Sequence, residues 1–546
     1  MGNTTPDVGG VEPVTRKKVD VVIVGAGFGG MYMLHRVRGL GLSAIVFEAG
    51  TDVGGTWYWN RYPGARCDVE SMQYSFSFSD ELQQEWHWKE LYAPQPEILE
   101  YARHVAGRLD LRRDICFETR VTAAHFDEGT NCWSIHTDRG DVVCARFCVM
   151  ATGCLSTAKQ PELPGLASFC GKAYHTGAWP HEAVDLSGQM VGVIGTGSSA
   201  IQAIPIIAKE VGHLFVFQRT PNFSVPAQNR PMTADYEAMW KAEYPDRRRR
   251  AMEIRNAILY TLNDKSAVEA SEEERQDEYE ARWRAGGIPF MAAFNDLILD
   301  KKANDTAANF VRGKIRSIVR DPAIAEKLVP KNYPIGTKRI CVDTDYFATY
   351  NRDNVTIVDL ADAPIEAITA EGLRTRDAEY KLDSIIFATG FDAMTGTLLA
   401  MDIVGRNGRN LREKWAGGPR TYLGLMVAGF PNMFTITGPG SPSVLTNMIV
   451  SIEQHVEWIA DCLAHLQARG AATIEATAQA ENDWVSHVSE IGERTLYPQA
   501  ESWYVGANVP GKPRVFMPYI GGFAAYKRKC DEVAARGYEG FQIGVP

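Results

Sequence analysis

The sequence predicts an α/β protein with two domains, each built on a βαβ unit, and a helical insertion in the second. One observation is the stretch VDVVIVGAGFGGMYMLHRVRGLG at residues 19–41, where a β-branched run meets glycines and becomes helix-periodic. A second strand is predicted just after it, at SAIVFEAG. The other observation is that this order recurs from residue 190, at MVGVIGTGSSAIQAIPIIAKE followed by HLFVFQRT. Strand, glycine turn, helix and parallel strand are typical of doubly wound folds.

The first unit carries the pattern of a dinucleotide-binding, Rossmann-like domain. Gly25, Gly27 and Gly30 form G-x-G-x-x-G between the strand and the helix. Glycines there permit the tight turn and the close approach of a pyrophosphate to the helix N-terminus. Glu48 ends the second strand, where a carboxylate accepts hydrogen bonds from ribose hydroxyls and repels a 2′-phosphate. The first site therefore suits FAD or NAD.

The second unit carries a related pattern with the opposite charge. Gly195, Gly197 and Ala200 form G-x-G-x-x-A, and Arg219 and Thr220 follow the second strand. A guanidinium and a hydroxyl suit a ribose that carries a 2′-phosphate. The alternative interpretation is that Arg219 is a surface arginine without a role in binding. The second site therefore suits NADP. One chain with both sites is the arrangement of a flavoprotein that NADPH reduces.

Two later predicted strands, in ARFCVMATG and SIIFATGFD, both end in Ala-Thr-Gly, at Gly153 and Gly390. They indicate where the chain leaves the first domain and where it later re-enters it. The segment between them that follows Pro226 is charged and poor in β-branched residues, so we predict helices, with Arg247–Arg250 on a solvated face. The predicted layout is a disordered tail at 1–18, an FAD domain at 19–154 and 391–546, an NADP domain at 155–225 and 332–390, and the helical insertion at 226–331.

Composition narrows the class of protein further. The net charge is −10, which offers no general attraction for nucleic acid or an anionic membrane. No apolar run reaches the ~18 residues of a membrane span, and the N-terminus lacks a secretory signal, so we predict a cytoplasmic protein. The ten cysteines are scattered and predict no metal site. No C-x-x-x-x-C follows the first unit, which disfavours a disulfide reductase. The sequence predicts no oligomeric state.

Two further segments carry unusual residues. The stretch GGTWYWNRYPGARCD at residues 54–68 is a tight aromatic loop beside the first site, able to lie along a flat ring system. The stretch FCGKAYHTGAWP at residues 169–180 precedes the second glycine turn. Its His175 is either a general base or a structural residue of a linker, and the spacing favours the structural role.

Together these segments resemble the Baeyer–Villiger monooxygenases, and the likeness extends over nearly the whole chain from Val19. The related flavin-containing monooxygenases lack a tryptophan at the position of Trp179. The likeness is closest to the phenylacetone and steroid monooxygenase branch. The first motif, F-x-G-x-x-x-H-x-x-x-W, is matched by Phe169, Gly171, His175 and Trp179. The second is matched by Gly54, Gly55, Trp57, Tyr62, Pro63, Gly64 and Asp68.

The resemblance implies FAD and NADPH as cofactors and a set of site residues. It implies flavin contacts from Gly25, Gly27, Phe28, Gly30, Glu48, Gly55, Trp57, Arg66, Asp68, Tyr74, Val121 and Met448. It implies NADP contacts from Gly195, Thr196, Gly197, Ser198, Ser199, Ala200, Ile201, Arg219, Thr220, Lys338, Arg339 and Trp503. It makes Arg339 catalytic, with Asp68 orienting it, puts Val444 and Leu445 nearest the substrate, and has His175 and Trp179 couple domain motion. Without the resemblance, Lys338 and Arg339 would be two exposed charges after a loop.

The implied reaction is the oxidation of a cyclic, aryl or other bulky ketone by O₂ and NADPH. An anionic flavin peroxide attacks the carbonyl and gives an ester or lactone, and a permanently charged guanidinium would stabilise both the peroxide and the oxyanion adduct. Two alternatives stay open. One is a flavin-containing monooxygenase that oxygenates nitrogen or sulfur. The other is a redox sensor that binds flavin and NADP and only oxidises NADPH without converting a substrate.

Overall fold

The computed structural model describes residues 17–544, which form five sheets surrounded by helices. The predicted tail at 1–18 lies outside the described residues except for Lys17 and Lys18. These two residues begin the first strand, which therefore starts two residues before the predicted start at Val19.

In chain order the strands are β1 Lys17–Val24, β2 Ala44–Phe47, β3 Ile115–Cys116, β4 Val121–Asp127, β5 Cys132–Thr137, β6 Val142–Met150, β7 Lys172–His175, β8 Met190–Ile194, β9 His213–Gln218, β10 Ser224–Pro226, β11 Cys341–Asp343, β12 Val355–Asp359, β13 Ile365–Thr369, β14 Gly372–Thr375, β15 Glu379–Lys381, β16 Ser384–Phe387, β17 Asp402–Val404, β18 Met433–Thr435, β19 Thr473–Ala476 and β20 Phe541–Gly544. The α-helices are α1 Phe28–Gly39, α2 Thr56–Trp59, α3 Asp80–Glu85, α4 Gln95–Arg108, α5 Ser198–Ile207, α6 Ala234–Glu253, α7 Glu272–Ala285, α8 Lys301–Ile318, α9 Pro322–Leu328, α10 Tyr346–Thr349, α11 Gly396–Ala400, α12 Leu411–Lys414, α13 Met448–Ala468, α14 Ala478–Glu493 and α15 Phe523–Ala535.

The largest sheet has eight strands and draws on both halves of the chain. Its order is β17-β4-β5-β6-β1-β2-β3, and β18 pairs with the end of β6. The strands β3, β2, β1, β6 and β18 run parallel, which is typical of a sheet buried on both faces. The apolar run of β1 is fully buried from Val21 to Ile23, and α1 packs against α13 above it. Residues from 17 to 150 and from 402 to 435 thus share one sheet.

The second large sheet is a five-stranded parallel sheet with the order β12-β9-β8-β16-β7. The unit β8-α5-β9 is the second βαβ unit predicted from the sequence, and it lies at the centre of the sheet. The edge strand β7 holds the F-x-G-x-x-x-H-x-x-x-W segment, and β16 returns from residue 384 to lie between β7 and β8. Parallel strands end at one edge of the sheet, so the glycine turn after β8 opens there.

The segment between β10 and β11 is helical in the described chain, as its composition predicts. Side-chain caps begin its helices, among them a capping box formed by Ser271 and Glu274 at α7. The solvated face predicted for Arg247–Arg250 is wrong at one position. Arg248 is buried, and its guanidinium donates to the carbonyl oxygen of Gln73 at 2.8 Å and to Ser75 Oγ at 2.7 Å. Arg248 is buried because α6 packs against the loop of the first domain that contains Gln73 and Ser75.

Candidate active site between two nucleotide-binding turns

The first glycine turn needs its glycines for steric reasons. Gly25 has φ +103°, and a Cβ there would lie 2.7 Å from the carbonyl oxygen of Ala151. A Cβ at Gly30 would lie 1.8 Å from the carbonyl oxygen of Gly25, which no side chain tolerates. A Cβ at Gly27 would meet Gly55 Cα at 3.4 Å, so the aromatic loop at 54–68 lies directly against the turn. The two predicted flavin-binding segments are therefore brought together.

Glu48 lies buried beside this turn. Its Oε2 accepts a hydrogen bond from the backbone N–H of Ala26 at 2.8 Å, and its Oε1 accepts one from Gly50 at 2.7 Å. Burial raises the pKa of Glu48, while these backbone donors and the charge of Arg120 act against the rise. The carboxylate is thus fixed at the end of β2, where an acceptor for ribose hydroxyls is required, and this negatively charged acceptor fits an adenosine without a 2′-phosphate.

Three of the other predicted flavin contacts, all of them aromatic, lie together. Trp57 Nε1 donates to the hydroxyl of Tyr74 at 3.2 Å, and the ring of Phe28 meets Tyr74 edge-on at 6.2 Å. Val121 is buried at the start of β4, and the half-buried Met448 begins α13. Phe28, Trp57 and Tyr74 thus form an aromatic group beside the first turn, whereas Val121 and Met448 pack in other parts of the core.

The second glycine turn is more open than the first. Gly195 has φ +111° and a Cβ there would lie 2.6 Å from the carbonyl oxygen of Ala388, but nothing lies within 4 Å of a Cβ at Gly197. Thr196 Oγ1 donates to the carbonyl oxygen of Thr220 at 2.8 Å, which ties the turn to the end of β9. The open face at the N-terminus of α5 fits a pyrophosphate. The helix begins with the remaining predicted contacts, Ser198, Ser199, Ala200 and Ile201.

Three cations surround the end of β9. Arg219 is exposed there, and it lies close enough to two lysines to affect their pKa values. Burial and then the charge of Arg219 lower the pKa of Lys338, whose Nζ lies 4.6 Å from the ring centroid of Tyr333. Burial and Arg219 likewise lower the pKa of Lys159. This concentration of positive charge fits a phosphate, and Lys159 is a member that the sequence did not single out.

Arg339 and Asp68 form a bidentate ion pair between the two turns. Arg339 Nε donates to Asp68 Oδ2 at 3.0 Å and Nη2 donates to both carboxylate oxygens at 2.8 and 2.9 Å. Nη1 donates to the carbonyl oxygen of Val444 at 2.8 Å. Burial alone would lower the pKa of Arg339, but the charge of Asp68 and the hydroxyl of Tyr504 raise it overall. The guanidinium is therefore charged at every working pH.

Arg339 lines a cavity of about 170 Å³. Its wall is mostly aromatic and aliphatic, and it comes from the helical insertion, from the segment around residue 445 and from the C-terminal part. Leu445 lines the cavity as predicted, whereas Val444 meets the site through its carbonyl oxygen and its side chain is buried. Tyr504 also lines the cavity, and the neighbouring Trp503 ring lies 4.2 Å from the Tyr504 ring.

His175 has no free nitrogen for a general base. Its Nδ1 accepts from the N–H of Gly177 at 2.9 Å, and its Nε2 lies 3.1 Å from the carbonyl oxygen of Lys159. Burial lowers its pKa, so the ring is neutral and donates through Nε2. A Cβ at Gly171 would lie 2.3 Å from the carbonyl oxygen of Asp383 and 2.5 Å from the Phe169 ring. Trp179 is buried 5.3 Å from the Tyr174 ring, so the whole motif supports the linker.

The loop at 54–68 also contacts the second domain. The side chain of Gln202 on α5 accepts from the hydroxyl of Tyr62 at 2.8 Å and donates to the carbonyl oxygen of Arg66 at 3.0 Å. Arg66 itself pairs with Glu90 at 2.7 Å. A Cβ at Gly64 would lie 2.4 Å from the carbonyl oxygen of Gln202. One loop thus lies against the first glycine turn, holds Asp68 and touches the helix of the second turn.

Some functional candidates carry no sequence signal. Tyr504 and Lys159 join the site through contacts that span long stretches of chain, and neither lies in a motif. Within residues 17–544 no three His, Cys, Asp or Glu side chains gather as a metal site would need. The same residues contain no helix with the length and apolarity to cross a membrane.

Comparisons with known proteins agree with this geometry. A family model described as "Pyridine nucleotide-disulphide oxidoreductase" matches residues 22–234. A Baeyer-Villiger monooxygenase of Pseudooceanicola batsensis is 44% identical over 523 residues, which are 95% of each chain. The phenazine N-monooxygenase PhzNO1 of Lysobacter antibioticus is 42% identical over 526 residues, 96% of each chain. A solved structure titled "Oxidized steroid monooxygenase bound to NADP" is 55% identical, with a TM-score of 0.93, over 97% of this chain and 100% of that one.

Two βαβ glycine turns, one beside a buried carboxylate and one beside an exposed arginine, are typical of two-nucleotide flavoprotein oxidoreductases, and the family model agrees. Within this class the chain belongs to the Baeyer–Villiger monooxygenase family, because its likeness to named members covers nearly its full length. The predicted fold class and family are confirmed.

Proposed function

We propose that this chain catalyses the NADPH- and O₂-dependent oxidation of ketones to esters or lactones, with cyclic, aryl and other bulky ketones as the substrate class. The observation that carries the proposal is the Arg339 guanidinium, which is held by Asp68 and lines a mostly apolar cavity. The apolar wall suits the hydrocarbon part of such a ketone.

Arg339 supplies a fixed positive charge at the cavity. Two of its nitrogens donate to Asp68, Nη1 donates to the carbonyl oxygen of Val444, and the hydroxyl of Tyr504 is a further partner. Preorganised donors stabilise an oxyanion without reorganising during the reaction. The role of Asp68 is to fix the plane of the guanidinium, so that its N–H donors keep fixed directions.

The cofactors follow from the two turns. FAD, when bound, supplies the transfer of one oxygen atom from O₂, chemistry that no side chain provides. Its proposed contacts are those predicted from the sequence around Gly25, Glu48 and Trp57. The NADPH contacts are those around Gly197, with Arg219, Thr220 and Lys338 at the 2′-phosphate. The predicted domain ranges, the cytoplasmic location and the absence of nucleic-acid and membrane partners stay predictions.

Nitrogen oxygenation is a second candidate, because one relative of comparable identity is named a phenazine N-monooxygenase. The experiment that separates the two measures oxygenated product per NADPH consumed across matched ketones, sulfides and N-heterocycles. Ester or lactone formation near one per NADPH supports the proposal. N-oxide without ester overturns it, and NADPH consumption without any product would favour the redox sensor.

Arg339→Ala tests the role of the guanidinium. Ketone oxygenation should fall by more than roughly 10²–10³-fold, the typical cost of one oxyanion donor, because this donor is charged. Flavin bleaching by NADPH without O₂ should persist, since both glycine turns are intact. Anaerobic stopped-flow reduction beside aerobic product analysis checks both halves. Arg339→Lys should restore little activity, because an ammonium lacks the fork of donors. A near-normal ester yield from the alanine variant would remove Arg339 from the mechanism.

A further inference from the structure

The cavity wall carries a positive charge that the proposed reaction does not use. Of the residues that line it within the described chain, two are charged, and both are arginines, Arg339 and Arg255. Asp68 pairs with Arg339 at hydrogen-bond distance. Arg255 has no carboxylate partner among residues 17–544, and its one hydrogen bond joins Nη2 to the carbonyl oxygen of Ile520 at 3.1 Å. Arg255 is exposed, and it is the one charged side chain of the cavity wall without a carboxylate partner in the described chain.

The position of Arg255 is built into the fold. It follows α6, and its own carbonyl oxygen accepts from the N–H of Phe523 at 2.8 Å. Gly522 has φ +95°, and a Cβ there would lie 3.2 Å from Arg255 Cγ. The backbone at 520–523 therefore holds the arginine from both its main chain and its side chain. Four of the five guanidinium N–H donors stay available for a ligand.

The two arginines act on one common neighbour. Burial raises the pKa of Tyr497, and the charges of Arg255 and then Arg339 act against that rise. Tyr497 also lines the cavity, so both guanidiniums are close to the same stretch of its wall. A substrate whose ketone lies at Arg339 can extend along this apolar wall to Arg255.

We infer that Arg255 is a specificity-determining residue and that the cavity favours ketones that carry a carboxylate remote from the carbonyl group. This inference rests on the proposed function and narrows its substrate class. A carboxylate accepts two parallel hydrogen bonds from a guanidinium, which gives geometric specificity as well as attraction. The apolar stretch between the arginines takes the hydrocarbon that joins the two groups.

The experiment compares a cyclohexanone that bears a propanoate side chain with its propanamide analogue, which has the same shape and no charge. The purified holoenzyme should have the higher kcat/KM for the acid. Arg255→Met keeps an unbranched stem and removes the charge, so kcat/KM for the acid should fall roughly 3–10-fold, as expected for a charged contact partly open to water. The value for the amide should stay within about 2-fold.

A matched control is Arg250→Met, which removes an exposed charge on α6 and should leave the ratio of acid to amide unchanged. Arg255→Glu should invert the preference. An unchanged ratio in Arg255→Met, or a wild type that prefers the amide, overturns the inference while ester formation from the amide still supports the proposed function. If neither ketone nor unsubstituted cyclohexanone gives a lactone, the proposed function fails and the inference fails with it.

Discussion

The two glycine turns share a backbone plan and differ in how tightly the protein encloses them. At the first turn the aromatic loop lies against Gly27, and Glu48 is buried with both oxygens bonded to the backbone. At the second turn the space beside Gly197 is open, and Arg219 is exposed. The difference suits one nucleotide that remains tightly bound and one that binds and dissociates in each turnover. Enclosure and the charge after the second strand, rather than the glycines, distinguish the two sites.

The largest expected effect of a substitution is at the first glycine turn, which the protein encloses. Gly30→Ala places a Cβ 1.8 Å from the carbonyl oxygen of Gly25, so the helix and the strand cannot keep their packing. We expect protein that purifies without yellow colour, or unfolds at a markedly lower temperature, because a clash in a packed core is costly. Flavin absorbance per chain and thermal melting measure both effects.

The control for this prediction is Gly39→Ala in the same helix, where nothing lies within 4 Å of the new Cβ. It should keep the flavin and change the free energy of unfolding by less than about 0.5 kcal/mol, because Gly39 is the last residue of α1 and the new methyl group meets no neighbour. A yellow, stable Gly30→Ala protein would contradict the conclusion that the protein tightly encloses the first glycine turn.

A smaller effect is expected at the charge that follows the second strand. Arg219→Ala should lower kcat/KM for NADPH by roughly 10–150-fold, since a charge-assisted hydrogen bond contributes about 1.5–3 kcal/mol. NADH use should barely change, because NADH has no 2′-phosphate. Steady-state kinetics with both coenzymes, beside Arg374→Ala as a distant exposed arginine, provide the check. Equal losses for both coenzymes would show that Arg219 does not bind the 2′-phosphate.

The smallest effect on the folded protein is expected at the open turn. Gly197→Ala meets no protein atom within 4 Å, so the melting temperature should stay within about 2 °C of the wild type. The new methyl group occupies the space assigned to the pyrophosphate, so KM for NADPH should still rise. Melting and kinetics on the same preparation separate the two effects. A large loss of stability would mean that the second turn is as closed as the first.

Local patterns were enough to predict much of the fold, because a βαβ unit needs only neighbouring residues. The glycines, Glu48 and Arg219 all lie within one unit each, and the structure keeps that order. The contact between Asp68 and Arg339 crosses 271 residues, and only the family resemblance predicted their partnership. Periodicity carries no information about contacts of that range.

The cavity wall was the least predictable part. The insertion has the composition of surface helices, yet it buries Arg248 against the first domain and brings Arg255 to the cavity. Whether a charged residue faces water or a neighbouring domain depends on how α6 packs, and the sequence of α6 has no strong apolar stripe to decide it. Tyr504 and Tyr497 are missed for the same reason, since single aromatic residues in a loop show no period.

The pairing of β18 with β6 has a consequence for how the chain is made. Met150 and Thr435 are adjacent in the finished sheet, but a ribosome that adds about 5–20 residues per second needs roughly 15–60 s to pass from one to the other. During that interval Cys148–Met150 at the end of β6 have only β1 as a partner, because β5 pairs with β6 only as far as Ala145. Exposed strand edges are sites of aggregation. The whole second domain is synthesised in the meantime. The second parallel sheet can therefore form before the first sheet is complete, and a fragment that stops before residue 433 lacks a strand of the first sheet.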